Sequence, residues 1–184
     1  MIMGLVAEGQ FSRRVPVSPA LGYEVQEFLA WEAYLLDHGR YREWHSLLCP
    51  ALIYRGPPDL LLEGHLAVLG RSDGREPMER GYRFMVDRAE SLDRNNPAGN
   101  QSATAPVTRL ITNILVSASD CRLQFEVKSY VLVTFENSTG AEGQTLVVER
   151  CDRLRRASDT FFITQREIRN RCIPSTFRGV VHIL

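Results

Sequence analysis

The 184-residue chain has no excess of charge of either sign and no long run of apolar residues. Its 22 basic residues equal its 22 acidic residues in number, so no overall field favours nucleic acid or an anionic membrane. No apolar stretch approaches the roughly 20 residues that a membrane-spanning helix needs. The first residues also lack the basic segment before an apolar core that is typical of a signal peptide. We therefore expect a cytoplasmic protein that binds neither nucleic acid nor membrane.

Cysteine and histidine, four of each, are too scattered to indicate a disulfide framework or a metal site. Widely separated cysteines fit reduced, mostly buried thiols better than paired ones. No two histidines have the local spacing, with an acid beside them, that metal ligands usually leave in a sequence. We therefore expect no metal in this chain. The residues concerned are Cys49, Cys121, Cys151, Cys172, His38, His45, His65 and His182.

An alternation of apolar and polar residues in the second half of the chain has the clearest structural meaning. In residues 122–136 the apolar side chains fall on odd positions, which is the period of a strand with one buried face. Three more β-rich runs, at 107–119, 145–156 and 160–169, are set off by short polar breaks. This order predicts a four-stranded antiparallel meander. The apolar positions of the central run are Leu123, Phe125, Val127, Val131, Val133 and Phe135.

The first half of the chain supplies helices that can cover the apolar face of this sheet. Ser18 followed by Pro19 predicts a helix start, because a hydroxyl caps free amides and proline suits the first helical position. Gly39 is a suitable helix end. A second short helix at 40–48 follows directly, and Pro50 is expected to end it.

A short strand at 51–55 and a third helix complete the first half. Pro77 opens this helix, whose predicted apolar face follows at helical spacing. The apolar run 59–70 fits either a strand or an irregular edge. The polar segment 91–106 predicts a long loop. The predicted apolar face of the third helix consists of Met78, Tyr82, Met85, Val86 and Ala89.

This order of elements predicts an α+β domain in which a curved antiparallel sheet wraps around a long amino-terminal helix. Residues 1–17 have no regular pattern and are expected to form an arm that is mobile or laid on a partner. Residues 18–184 are expected to form one domain with an extended carboxy-terminal tail. Helical spacing to apolar neighbours places Trp31 and Trp44 in the core.

Four stretches in this order resemble one known family. They are FLAWEAYLLDHGRYREWHSLL near the start, TRLITNILV at 108–116, VVERCDRLRR at 147–156 and the tail REIRNRCIPSTFRGVVHIL. As an ordered set they are similar to the small, or beta, subunit of the bacterial Rieske-type aromatic-ring-hydroxylating dioxygenases. The chain departs from that family at Leu110, where typical members have histidine. The resemblance implies the cystatin-like or NTF2-like cone fold.

The resemblance also implies a function in aromatic hydrocarbon catabolism, as a non-catalytic subunit. The large (alpha) subunit would carry a Rieske 2Fe–2S cluster and a mononuclear non-haem Fe(II), and this chain would hold no cofactor. A hexamer of three large and three small chains is implied, with the small chains forming a trimer. The family's Rieske ligands are spaced C-x-H and C-x-x-H, and no cysteine in this chain is followed by histidine at either position.

Five residues are candidates for a subunit interface. The run ERCDRLRR places Arg150 and Asp152 on one face of its strand and Arg155 on the other. Either this is a solvated strand end whose ion pairs contribute little, or these residues meet another chain, where guanidinium groups suit carboxylates and carbonyls. Arg109, in the stretch TRLITNILV, and Phe177, in an apolar tail that is expected to dock, complete the interface prediction.

The main alternative is a free-standing cavity enzyme, such as a dehydratase or isomerase acting on a small hydrophobic molecule. Cone folds of this kind also resemble such enzymes, and the candidate acid, base and donor residues here are Tyr34, Asp37, His45 and Tyr54. The simpler interpretation, which we favour, is that the tyrosines are core aromatics and that Asp37 is a charged residue at a helix end. A cone-fold binding module for another partner is a third alternative.

Overall fold

A strongly curved mixed sheet forms the frame of the molecule in this computed structural model, which describes residues 15–57, 78–95, 107–119, 121, 123–135 and 144–172. Its strand order is β2-β1-β6-β5-β4-β3, and all neighbours are antiparallel except the parallel pair β1 and β6. The strands are β1 Leu48–Gly56, β2 Met78–Gly81, β3 Val107–Ala118, β4 Gln124–Phe135, β5 Gln144–Ala157 and β6 Thr160–Cys172, and the helices are α1 Pro19–Asp37, α2 Tyr41–His45 and α3 Tyr82–Asn95.

The predicted meander is confirmed, because β3, β4, β5 and β6 follow one another in sequence and in the sheet. Alternate residues of β4 point into the core, and Val127, Val131 and Val133 are at most 1% exposed. Leu123 departs from the predicted face: it precedes the strand, has a φ of 67° and is 54% exposed. A buried face of this kind is stable only when another layer covers it.

Helix α1 provides that layer and lies against the sheet. The Ser18 hydroxyl accepts a hydrogen bond from the amide of Leu21 at 3.3 Å, so the predicted cap is confirmed. Gly39, just past the end of the helix, has a φ of 65°. The buried side of α1 carries Val25, Phe28, Leu29, Leu35 and Leu36, which share one core with strands β1, β3, β4, β5 and β6.

Two sequence-based boundaries were wrong, and sheet pairing explains both. The second helix ends at His45, because β1 starts at Leu48 and runs through Pro50. The amide of Ile163 donates to the carbonyl of Leu47 at 2.9 Å, so parallel pairing with β6 begins before the proline. The third helix begins at Tyr82, because Met78–Gly81, predicted to lie in it, form β2, which pairs antiparallel with β1.

The predictions for the two tryptophans and for the long loop were confirmed only in part. Trp44 is fully buried as predicted, whereas Trp31 is 44% exposed, so its core assignment was wrong. Residues 91–95, expected to open a loop, continue helix α3. The run 59–70 and the rest of that loop lie outside the described residues. None of the described helices is both long and apolar enough to cross a membrane.

The end of the predicted arm lies on this chain's own sheet. The carbonyl of Val15 accepts from the amide of Ala118 at 3.0 Å, and Pro16 forms an antiparallel bridge with Ser117. The chain therefore lies against the outer edge of β3 before it enters α1. Residues 1–14 are outside the described part, and the division into an arm and one domain stays a prediction.

Two glycine substitutions should change stability in opposite directions. Gly39→Ala is expected to lower the free energy of unfolding by about 1–2 kcal/mol, since a side chain at positive φ is strained. Gly22→Ala is the matched control, because it lies inside α1 and an added Cβ would meet nothing within 4 Å. It should raise the free energy by about 0.5–1 kcal/mol. Urea denaturation measures both, and equal effects would contradict the assigned helix end.

Candidate functional site

Four charged side chains meet in the core between α1 and the sheet. Glu32 comes from α1, Arg150 and Asp152 from β5, and Arg166 from β6, and each residue is at most 4% exposed. We call this set the buried charge cluster. Two cations and two anions give it a formal charge of zero, which is the condition under which buried charges are tolerated.

Local structure brings these side chains together. Residues 150 and 152 are two apart on β5 and therefore share a face. Arg166 is the β6 partner of Asp152 in the strand register. Glu32 follows Phe28 by four residues, so it lies on the buried side of α1. The curved sheet and the helix thus bring side chains from α1, β5 and β6 close together.

Arg166 is the centre of the buried charge cluster. Its Nη1 and Nη2 lie 2.6 Å and 2.9 Å from Oε1 and Oε2 of Glu32. Its Nε and Nη2 lie 2.8 Å and 3.0 Å from Oδ1 and Oδ2 of Asp152. The guanidinium therefore binds two carboxylates in the forked geometry that gives strong charge-assisted hydrogen bonds.

Arg150 and Trp44 complete the set of contacts to Glu32. Arg150 places Nη1 at 3.2 Å from Oε2 of Glu32 and Nε at 3.0 Å from Oδ2 of Asp152. That Nε contact is close but lacks the alignment of a hydrogen bond. The indole Nε1 of Trp44 donates to Oε1 of Glu32 at 3.1 Å. The cluster thereby also ties α2 to α1.

Glu32 and Arg166 stay ionised at neutral pH. Burial by itself would raise the pKa of the Glu32 carboxyl, but the charges of Arg166 and Arg150 and hydrogen bonds from Arg166 and Trp44 outweigh it. The net result lowers the pKa of Glu32 from 4.5 to about 2. Burial also opposes the charge of Arg166, yet Asp152 and Glu32 raise its pKa well above the usual value.

These protonation states make the cluster a structural device rather than an acid–base site. General acid–base catalysis needs a group whose pKa is near the working pH. The pKa of Glu32 is far below neutrality, and that of Arg166 is far above it. What the cluster does is lock α1 and α2 to strands β5 and β6.

A second ion pair involves the last residue of α1. Arg109 of β3 places Nη1 at 2.5 Å from Oδ1 of Asp37, and its backbone amide donates to Oδ2 at 3.0 Å. The two side chains are 8% and 17% exposed. This pair joins the carboxy-terminal end of α1 to the edge strand of the sheet. Asp37 was correctly placed at a helix end, but it is bound to another element rather than solvated.

The residues proposed for a cavity enzyme occupy different surroundings. Tyr34 is 43% exposed and stacks on surface groups, so its assignment to the core was wrong, whereas Tyr54 is 2% exposed in the core, as expected. Asp37 is committed to Arg109. His45 ends α2, half-buried. Among these four residues, neither Asp37 nor His45 shares an apolar pocket with one of the tyrosines.

The interface candidates divide into inner and outer residues. The side chains of Arg150, Asp152 and Arg109 contact partners inside this chain, whereas Arg155 is exposed on the opposite face of β5. Phe177 lies outside the described residues. The predicted placement of Arg150 and Asp152 on one face of β5 and of Arg155 on the other is confirmed. Arg150 and Asp152, however, are neither solvated nor at the surface. The interface role of all five stays a prediction.

Sequence reasoning missed Glu32 and Arg166. A signal existed for Glu32, because an acid among apolar residues at helical spacing indicates a buried partner. Alternation along β6 could not place Arg166 on the buried face, because the strand contains a bulge. Leu154 pairs with Ile163 and Arg153 with Gln165, which leaves Thr164 as an extra residue on β6. The bulge reverses the parity of the strand.

An aromatic cluster lies on the exposed side of α1. The rings of Trp31 and Tyr34 are stacked, with centroids 5.3 Å apart and planes at 13°. The guanidinium of Arg40 sits over both rings, at 5.1 Å and 5.8 Å from their centroids. Glu43 holds Arg40 through two hydrogen bonds of 2.6 Å. We call Trp31, Tyr34 and Arg40 the α1 patch.

The opposite face of the sheet carries a row of apolar residues. Leu110 pairs with Leu132 across β3 and β4, and Leu132 pairs with Val147 across β4 and β5. Leu110 is 56% exposed, and the other two are half-buried. Their sequence neighbours Val131, Val133 and Val148 point into the core, so this outer row faces away from α1.

Comparison of the sequence with known proteins finds a matching family model and several relatives. A family model described as the ring hydroxylating beta subunit matches residues 31–173. The chain is 27% identical over 158 residues to the 3-phenylpropionate/cinnamic acid dioxygenase subunit beta of Photorhabdus laumondii, which covers 83% of this chain and 85% of that protein. It is 26% identical over 162 residues to the benzene 1,2-dioxygenase subunit beta of Pseudomonas putida, with coverages of 86% and 83%.

Solved structures share the fold at lower identity. A naphthalene 1,2-dioxygenase with indole bound in the active site superposes with a TM-score of 0.65 at 21% identity, over 90% of this chain and 84% of that one. The benzoate 1,2-dioxygenase beta subunit of Burkholderia mallei gives 0.62 at 12%, over 83% and 89%. Aln2 from a Streptomyces species gives 0.60 at 17%, over 84% and 94%. The predicted α+β, NTF2-like fold is confirmed.

Removing the charge of Glu32 should destabilise the protein and alter its pH dependence. Glu32→Gln is expected to cost about 3–5 kcal/mol at pH 6, because it leaves two buried guanidinium groups with one carboxylate. A pKa below its unfolded value means that ionised Glu32 stabilises the fold fully above pH 4.5 and progressively less as pH falls toward about 2. The variant should lack that part of the pH dependence.

Chemical denaturation of wild type and variant at pH 6 and pH 3 measures the effect. Glu79→Gln is the control, because Glu79 forms an exposed ion pair with Arg55 at 2.7 Å. It should cost at most about 1 kcal/mol. A Glu32→Gln effect no larger than the control would contradict the pairing described for the cluster.

Proposed function

Because the chain belongs to the ring-hydroxylating beta-subunit family, and so is the small subunit of an oxidoreductase complex, we propose that its task is mechanical. It holds the large subunits of an aromatic-ring-hydroxylating dioxygenase in a fixed arrangement. The observation that carries this proposal is the family match, which extends over residues 31–173 and includes the buried charge cluster. The chain contributes positioning and buried surface rather than a proton or an electron.

The redox groups of the family belong to the large subunit, and the described residues of this chain do not fit them. Those groups are a Rieske 2Fe–2S cluster, which needs paired cysteines and histidines, and a mononuclear iron, which needs histidines and a carboxylate. In the part of the chain that the structure describes, no group of three or more His, Cys, Asp or Glu residues is placed to hold a metal ion. We derive no redox step from this chain.

The buried charge cluster supports a mechanical role because it fixes the relative positions of the two surfaces described above. Glu32 lies on α1, one residue after Trp31 of the α1 patch. Arg150 lies on β5, three residues after Val147 of the outer row. The ion pair between Glu32 and Arg150, at 3.2 Å, therefore connects a surface on the helix to a surface on the opposite side of the sheet.

We assign self-association to the outer face of the sheet. There the small chains form a trimer within a hexamer of three large and three small chains. Leu110, Leu132 and Val147 provide a contiguous apolar row, and exposed Arg155 lies on the same face of β5. An apolar centre with charged residues at its margin is the usual composition of an interface. The interface proposal for Arg155 is retained on this ground.

We assign contact with the large subunit to the α1 patch. Tryptophan, tyrosine and arginine are the residues that contribute most to binding at protein interfaces. Here they are held in one arrangement before any partner binds, which reduces the entropy lost on association. Arg150, Asp152 and Arg109 act indirectly, by fixing the elements that carry the two surfaces, and Phe177 is proposed as a docking residue of the tail.

A cavity enzyme is not favoured. Cavity enzymes with this fold share only the architecture with the chain, and architecture does not determine activity. The space between helix and sheet is crossed by the buried charge cluster, whose Glu32 stays ionised because its pKa is about 2. The cytoplasmic location stays a prediction.

The purified chain alone should bind no iron and show no dioxygenase activity. Iron binding should appear when the large subunit is added, and activity should appear when a reductase system and NAD(P)H, which supply the electrons, are added as well. The reading frame next to the one for this chain should contain C-x-H and C-x-x-H. Metal analysis, an oxygen-uptake assay with an aromatic substrate and size-exclusion chromatography measure these properties. Iron bound tightly by the lone chain, or turnover without a partner, would overturn the proposal.

Two substitutions should test the α1 patch and the outer row independently. Trp31→Ala is expected to weaken binding of the large subunit at least tenfold while the trimer persists, because it removes the stacked centre of the α1 patch. Tyr23→Ala is the control, since Tyr23 is 62% exposed on the same helix outside the patch.

Leu132→Glu is expected to produce monomers, because it places a charge in the apolar outer row. Thr134→Glu, two residues further on the same face of β4, is its control. Light scattering and pull-down of the large subunit give both readouts. If Trp31→Ala dissociated the trimer while Leu132→Glu left it intact, self-association would belong to the α1 patch, and the assignment of the two surfaces would be wrong.

A further inference from the structure

Two polar side chains at the buried charge cluster carry atoms that lack hydrogen-bond partners. In the described part of the chain, neither the hydroxyl of Ser129 nor Nη2 of Arg150 has one, and Nε of Arg150 is likewise unbonded. The two residues are 3% and 2% exposed. Burying a polar group without a hydrogen-bond partner is unfavourable, so two neighbouring ones require an explanation.

Strand pairing brings the two groups together. Ser129 on β4 is directly opposite Arg150 on β5 in the antiparallel register. Side chains at such positions have Cβ atoms about 4.5–5.5 Å apart. Both point into the core, because their strand neighbours in sequence, Lys128 and Cys151, are more exposed. Neither group bonds the other, so each needs a partner that the described residues do not supply.

We infer that Ser129 and Arg150 hold one buried water molecule, which accepts a hydrogen bond from Nη2 of Arg150 and donates one to Oγ of Ser129. Buried waters typically occupy polar sites with two to four partners of this kind. The water completes the bonding of Arg150, the cation of the cluster that has the fewer aligned hydrogen bonds.

The charge balance selects water over an anion. Glu32 and Asp152 already match Arg150 and Arg166 in number, and Glu32 is ionised at neutral pH. A chloride or carboxylate would leave a buried negative charge without a counterpart, at high cost. A larger neutral molecule is excluded by the neighbouring positions, because Val127, Val131 and Val148 are at most 1% exposed and fill the surrounding core.

A crystal structure of the assembled complex, at a resolution that shows ordered water, tests the inference. The expected result is a single water peak within hydrogen-bonding distance of Ser129 Oγ and Arg150 Nη2. A crystal soaked in bromide should show no anomalous peak there. Absence of the water peak, a bromide peak or density for an organic molecule would each overturn the inference.

Variants identify the groups that hold the water. In Ser129→Ala the peak should disappear, because one partner is insufficient to fix a buried water. In Thr134→Val, which removes an exposed hydroxyl from the same strand, it should remain. A peak that persists in Ser129→Ala would show that Ser129 does not hold the water. If Ser129→Ala does not fold, the wild-type map and the bromide soak still decide the question.

Discussion

The forked binding of Arg166 to Glu32 and Asp152 is the interaction on which the rest of this structure depends. It occurs where a helix and two strands meet, far from water, so its charges can exist only in a matched set. Trp44 and Arg150 join the same carboxylate, which extends the set to α2. Directional hydrogen bonds add to the apolar packing of α1 and favour one position of the helix on the sheet.

That single position matters for a subunit whose role is to arrange other chains. In the proposed arrangement the α1 patch and the outer row bind different partners, so a constant distance between them favours assembly. The ion pair of Asp37 with Arg109 fixes the end of α1 to β3, and the buried charge cluster fixes its middle to β5 and β6. The helix is thereby held at two points along its length.

Much of the fold could be predicted from the sequence, and the failures have physical causes. The alternation in 122–136 and the Ser18–Pro19 start reflect local rules, and both predictions were confirmed. The positions of Pro50 and Met78 were misread because pairing between strands far apart in sequence overrides local preference. The exposure of Trp31 could not be read from helical spacing, since its ring stacks on Tyr34 at the surface.

The site was less predictable than the fold. The resemblance drew attention to Arg150 and Asp152, but their partners lie 118 and 14 residues away, on Glu32 and Arg166 (150 − 32 and 166 − 152). Only the sheet register and the bulge at Thr164 bring these groups together. A charged residue in an apolar pattern indicates that a partner exists, but it does not identify the partner.

A double-mutant cycle between Glu32 and Arg166 tests the central claim most directly. The free energies of unfolding of wild type, Glu32→Gln, Arg166→Gln and the double variant are measured by urea denaturation at pH 7. If these groups form one charge-balanced unit, the double variant should lose less stability than the sum of the single losses, with a coupling of about 2–3 kcal/mol. Additive losses would contradict the account, because they would mean that helix and sheet are held together without this interaction.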